Sequence, residues 1–194
     1  MMGQQQPTAQ ISLPCEARPE DVFDILADLR THLEWGGARQ SSDFRLLSLE
    51  AAPGPAKVGT TFSSTGTIPM SRRQWQDRST VTVADRPGTF EFTTEAQAGN
   101  RNAMTARYRH HYEISPAAGG ARVTYTLTEL AIAKPMLRMS LPGIRQMTWL
   151  VAIPMFASRG FRSLLVLAAE RTAASESTRP PTNIAGHSMQ TKEI

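Results

Sequence analysis

A single cysteine, Cys15, in 194 residues excludes an internal disulfide and any cysteine-based metal cluster built from one chain. Such sparing use fits a reducing interior. The N-terminus lacks a basic segment followed by an apolar core, so no secretory signal is visible and a cytoplasmic location is expected. Long apolar runs are missing too: the longest uncharged stretch near the C-terminus, Gln146 to Ser158, has 13 residues and contains Pro154. A membrane-spanning helix needs about 20 apolar residues, so no span is expected. Gly-rich phosphate loops, a Gly-x-Ser-x-Gly elbow and dinucleotide fingerprints are all absent. His32, His110, His111 and His187 lack ligand spacing, which leaves no metal site and no cofactor to expect.

Acidic residues are slightly outnumbered, 17 against 21 basic ones, for a net charge of +4. The arginines are scattered, from Arg18 and Arg30 through Arg72, Arg78 and Arg86 to Arg107 and Arg109, and not gathered into a stripe. With no RNP, zinc-finger or recognition-helix signature either, nucleic acid is not an expected partner. The polar ends, residues 1–7 and 174–194, carry too little apolar surface to offset the entropy of ordering and read as disordered tails. One domain, residues 8–173, remains.

That domain is rich in alternation. Tyr108 to Ile114 and Val123 to Glu129 alternate on either side of the Ser115–Gly120 turn, as a half-buried antiparallel hairpin does. Period-2 segments at 43–49, 60–64, 74–83, 89–95, 107–114 and 122–130 follow a first strand at 8–13, with turn residues such as Pro53-Gly54-Pro55, Ile68-Pro69, Asp85 to Gly88 and Gly99-Asn100 between them. Pro19 opens a helix over 18–26, with Glu20 and Asp21 at its positive end. A second short helix, 28–33, is capped by Asp28 and stopped by Gly36-Gly37, which leaves Trp35 at the hinge. From Pro154 to Arg171, Phe156, Ala157, Gly160, Phe161, Leu164, Leu165, Leu167 and Ala168 share one face of a long helix. Residues 135–153 are apolar but interrupted by Pro142 and Pro154, which predicts a kinked helix or two helices. The class is α+β: a curved antiparallel sheet of about seven strands, two short helices and a long, kinked C-terminal helix.

This order resembles the helix-grip fold of the START-like (SRPBCC) superfamily, which includes polyketide cyclases and Bet v 1-like proteins. The similar words are Ala17 to Asp28 for the opening helix, Val58-Gly59-Thr-Thr-Phe62, Asp85-Arg-Pro87 and Gly119-Gly-Ala-Arg-Val123-Thr. The apolar, Met-rich insert at 134–153 departs from the family pattern. The resemblance implies a hollow between helix and sheet that takes an apolar or aromatic small molecule, a lipid or polyketide-like compound, with no invariant catalytic set.

With the apolar set turned inward, one sheet face gathers Trp75, Asp77, Ser79, Val81 and Val83, then Phe90 and Phe92, then Tyr108, His110, Tyr112 and Ile114, then Val123, Tyr125, Leu127 and Glu129. Trp35, Phe62, Trp75, Phe92, Tyr108, Tyr112, Tyr125, Phe156 and Phe161 are the candidate ligand-binding residues. Asp77, His110 and Glu129 are the candidate acid–base groups of a cyclase or dehydratase, with Tyr112 or Tyr125 donating to an enolate oxygen. The plainer account of each is a packed side chain with a satisfied polar tip. The stretch 134–161 combines Lys134, Arg138, Arg145 and Arg159 with Met136, Met139, Met147 and Met155, a composition suited to peripheral contact with an anionic membrane. Snorkelling arginines on a helix packed against the sheet are the competing account.

Overall fold

The computed structural model describes residues 6–38, 45–67, 74–98, 104–133 and 142–177. Strand β1 (Thr8–Cys15) leads into α1 (Pro19–Ala27) and two irregular turns, Leu29–Thr31 and Glu34–Ala38. Strands β2 (Leu46–Ala51), β3 (Thr61–Thr67), β4 (Gln74–Asp85), β5 (Thr89–Ala98), β6 (Met104–Ala117) and β7 (Gly120–Ala133) follow, then α2 (Pro142–Met147), a π-helical turn (Thr148–Ala152) and α3 (Ile153–Ser177). The seven strands form one antiparallel sheet in the order β1-β7-β6-β5-β4-β3-β2. β1 and β2 are neighbours in sequence but occupy opposite edges, so α1 and its turns must carry the chain across a sheet face. That crossing, together with α3, supplies the second layer.

The opening helix begins as its residues dictate. Pro19 sits in the first turn, and the Arg18 guanidinium donates to Asp21 at 2.8 Å. Val22, Phe23, Ile25 and Leu26 are buried against the sheet, where Phe23 meets Phe90 edge-on at 5.9 Å. The second helix differs from expectation. Leu29–Thr31 is a single 3-10 turn with the Asp28 side chain accepting from the Arg30 N–H, and Gly36 and Gly37 lie inside the π-turn that follows. The reason is close approach: a Cβ on Gly37 would run into the Leu46 carbonyl at the start of β2. Trp35 is therefore held within a turn of helix, not at a hinge.

The inward alternation holds along β5 and β6 and fails once on β4. A register shift between Val81 and Val83 turns Val83 to the side of Glu91 and sets Ala84 opposite the buried Phe90. Val83 is thus lost from the inner face and Ala84 replaces it. The terminal helix is longer than predicted. It continues to Ser177 because the buried Thr172 hydroxyl donates to Asp21 at 2.6 Å, tying the last turns to α1. The predicted break before Pro154 takes the form of the π-turn, in which the Ile153 N–H reaches back five residues to the Thr148 carbonyl. Pro154 has no N–H to donate, and the widened turn absorbs that loss without ending the helix. Helix Gly143–Ser177 is, by length and composition, long and apolar enough to cross a membrane, which the short uncharged run had not suggested. Residues 134–141 of the insert, the turns at Ile68-Pro69 and Gly99-Asn100, the first residues of the 43–49 strand, His187 and most of both predicted tails lie outside the described residues.

Gly66 supplies a test of the packing around β2 and β3. The Trp75 ring lies across it, and an added Cβ would collide with the indole and with the Arg45 carbonyl. In an ordinary strand Gly→Ala stabilises by about 0.5–1 kcal/mol. Here Gly66→Ala is expected to destabilise by about 1–3 kcal/mol in urea denaturation, and a gain in stability contradicts the packing described.

Candidate functional site

Between the sheet and α3 lies a cavity of about 490 Å³. The sheet wall is built from alternate positions on adjacent strands: Phe62 and Ser64 on β3, Trp75, Asp77 and Ser79 on β4, Phe92 and Thr94 on β5, Tyr108, His110 and Tyr112 on β6, Tyr125 and Leu127 on β7. His32, Trp35 and Gly36 close one side, and Thr148, Ala152, Ile153, Phe156, Ala157, Gly160 and Phe161 form the roof. The rings contact one another. Phe92 stacks on His110 at 4.5 Å and 10°, Tyr112 on Tyr125 at 4.7 Å, and Phe62 meets Phe92 at 5.3 Å. Phe161 reaches down from α3 to Tyr125 at 6.1 Å.

Apart from the exposed Arg45, few polar groups interrupt this surface, and most have partners. His110 Nδ1 and the Tyr125 hydroxyl share a hydrogen bond of 2.9 Å, and Ser79 and Thr94 share one of 2.8 Å. His32 Nε2 donates to the Leu26 carbonyl at 2.9 Å, which fixes its neutral tautomer and leaves Nδ1 as an acceptor. Burial pushes His110 down to about 3 and His32 down to about 4, so both rings are neutral at ordinary pH. His110 does keep some accessible surface, on the face that lines the cavity. Burial also raises Tyr112 and Tyr125, which stay protonated as hydroxyl donors. Asp77 is raised to about 6 by burial, against the opposing hydrogen bond from the Ser64 hydroxyl at 2.6 Å. Trp35 Nε1 is buried without a partner.

All the predicted aromatic residues reach the wall or roof, but the three acid–base candidates do not come together. Asp77 lies opposite Ala96, and Ala96 opposite Ala106, whereas His110 is four residues further along β6. Two strand spacings and four residues of rise put their Cα atoms about 16 Å apart, too far for a direct hydrogen bond. Glu129 is not among the residues that line the cavity. It is buried beyond Tyr108, and its Oε1 accepts from the Arg145 guanidinium of α2. The expected triad is thus three separate groups, since a shared inward face does not imply a shared level along the strands. Reading the sequence missed His32, Ser64 and Thr94. Period 2 alone points Ser64 and Thr94 inward, as it does Ser79, but the ligand-binding candidates are aromatic only, and nothing local distinguishes His32.

The Glu129–Arg145 pair fastens the first turns of the roof to β7. Trp149 packs beside it, its ring 6.3 Å from Tyr108. Glu129 Oε2, Arg145 Nε and Trp149 Nε1 are buried and unpartnered. Among the described residues no group of His, Cys, Asp and Glu is arranged to hold a metal.

A seven-stranded antiparallel sheet gripped by one long helix, with a ring-lined hollow between them, defines the helix-grip class. The chain belongs to the family described as "Polyketide cyclase / dehydrase and lipid transport", whose model matches residues 6–149, and so to the SRPBCC/Bet v 1-like superfamily. Among curated proteins none matches. Among solved structures the chain is similar to a conserved protein from Geobacillus kaustophilus, with a TM-score of 0.61 and 14% identity over 86% of this chain and 96% of that one. It is also similar to protein CV1439 from Chromobacterium violaceum (TM-score 0.59, 12% identity, 84% and 97% covered) and to Ara h 8.0201 (TM-score 0.57, 12% identity, 86% and 99% covered). At such identities the likeness is one of fold.

Arg145 is 38% exposed but its partner Glu129 only 3%, so removing Arg145 strands a buried charge. Arg145→Met is therefore expected to destabilise by about 3 kcal/mol in urea denaturation, while the double variant Glu129→Met/Arg145→Met recovers to within about 1 kcal/mol of the parent. A double variant no more stable than Arg145→Met contradicts this account of the fastening.

Proposed function

We propose that the protein binds a hydrophobic, ring-containing small molecule, lipid or polyketide-like, in the cavity beneath the roof helix, and that it does so in the cytoplasm. The observation that carries this reading is the wall itself: an open volume of about 490 Å³ faced by stacked rings and a few dispersed polar groups. Binding sites for small apolar ligands have this composition. The neutral histidines and the tyrosine hydroxyls offer hydrogen bonds that orient a ligand carbonyl or hydroxyl without placing a fixed charge beside its apolar body.

Exposure of the purified protein to lipid extract and to a library of aromatic polyketides, followed by native mass spectrometry, tests the reading. Retained compounds that Ala157→Trp, which fills the cavity from the roof, no longer holds support it. Retention unchanged in Ala157→Trp, or no retained compound at all, counts against it.

The pH dependence follows from Asp77. A carboxyl raised to about 6 in the folded protein from an ordinary 3.8 favours the protonated state. Its contribution to stability is fully present below the ordinary value and is lost as pH rises through about 6. A ligand that strips water from the wall deepens the same preference. The affinity of an uncharged apolar probe is expected to rise as pH falls through about 6, and Asp77→Asn to remove that rise. An identical pH profile in Asp77→Asn contradicts it.

The enzymatic reading, a cyclase or dehydratase, rests on the same residue: Asp77 is a carboxyl with a raised pKa at the cavity wall, the state a general acid or base requires. With His110 about 16 Å away along the sheet, Asp77 acts alone in that chemistry. Turnover that survives Asp77→Asn removes the enzymatic reading and leaves binding intact.

A further inference from the structure

We propose that the outer face of the roof helix, from Ile144 to Met155 with Arg159 and Arg162 behind it, seats on an anionic lipid bilayer. Six of the eight large apolar side chains exposed among the described residues stand on this one helix. Five of them fall within three turns: Ile144 42%, Met147 60%, Leu150 63%, Val151 52% and Met155 51% exposed. The π-turn contributes to this row. Its wider spacing leaves Leu150 and Val151 both outside while Trp149 is buried and Ala152 faces the cavity. A contiguous exposed apolar row of this kind marks an interaction surface.

Charge selects the occupant. Arg159 and Arg162 are exposed next to the row and make no ion pair among the described residues, and the chain holds no acidic residue from Leu130 to Ala169. A second copy packed on this row brings no carboxylate from the same segment to meet the arginines, whereas anionic headgroups meet them directly. Glu129, the acidic residue just before this segment, is paired with Arg145 and buried, so it presents no free negative charge to the headgroups. The helix lies on the bilayer and does not cross it. Phe161, Leu164, Leu165 and Ala168 are at most 7% exposed against the sheet, and spanning would pull them all out of the core. The opposite side of the same turns, at Thr148, Ala152 and Phe156, roofs the cavity, so seating brings the hollow within a helix diameter of the lipid.

The test uses the full chain without any cavity ligand, so its outcome is independent of the binding reading above. Flotation is compared between vesicles of phosphatidylcholine alone and of equal parts phosphatidylcholine and phosphatidylglycerol, at low and high salt. The expected result is binding to the anionic vesicles only, weakened by salt. Met147→Ser/Val151→Ser abolishes it, and Arg159→Gln/Arg162→Gln weakens it by about fivefold per arginine. All four residues are exposed, and an unchanged thermal melt confirms that the variants fold. No binding to anionic vesicles at low salt overturns the proposal, as does binding indifferent to both variants. A dimer seen by light scattering that Met147→Ser/Val151→Ser dissolves, with no vesicle binding, assigns the row to self-association and overturns it equally.

Discussion

One helix does two incompatible-sounding things, and the architecture depends on how it divides them. Through its middle turns α3 presents Phe161, Leu164, Leu165, Leu167 and Ala168, all buried, and these fasten it to the sheet and to α1. In the preceding turns the roof is built mostly from Thr148, Ala152, Ala157 and Gly160, with Ile153 and Phe156 the large side chains over the hollow. Interiors normally pack to crystal-like density, and large side chains at those positions would have met the rings of β5, β6 and β7. Small ones leave the rings uncovered. The hollow is thus written into side-chain size along one helical face, with Glu129 and Arg145 holding the far end in place.

The same geometry sets the electrostatics. A wall of stacked rings raises the cost of any ionised group, so His32 and His110 are held neutral and the tyrosines protonated. Asp77 is the exception that titrates near neutrality, because the Ser64 hydroxyl supports its ionised form against burial. Function in such a site is a matter of shape and of a few hydrogen bonds, with Asp77 as a carboxyl that can gain or lose its charge and the exposed Arg45 also among the lining residues.

Much of the fold was legible because its signals are local. Period 2 set out all seven strands, and the paired alternation at 108–114 and 123–129 placed β6 beside β7 and turned His110 inward. The amphipathic stripe of α3 named the residues that pack. What escaped is non-local. The shift at Val81/Val83 depends on pairing with β5, and the role of Gly36 and Gly37 depends on β2 passing beside them, a contact no helix-stop rule contains. Thr172 extends the last helix through a bond to Asp21, some 150 residues earlier. The site shows the same division. Alternation brought the aromatic residues to one face, but the separation of Asp77, His110 and Glu129 is a matter of register across strands, which alternation does not encode.

Xenon-pressurised crystals give the most direct test, because xenon enters dry apolar cavities and avoids packed or wet ones. The account predicts xenon density between Phe92 and Tyr125 on the sheet and Ala152 and Ala157 on the roof. Side-chain density filling that interval, with no xenon bound there, would contradict it.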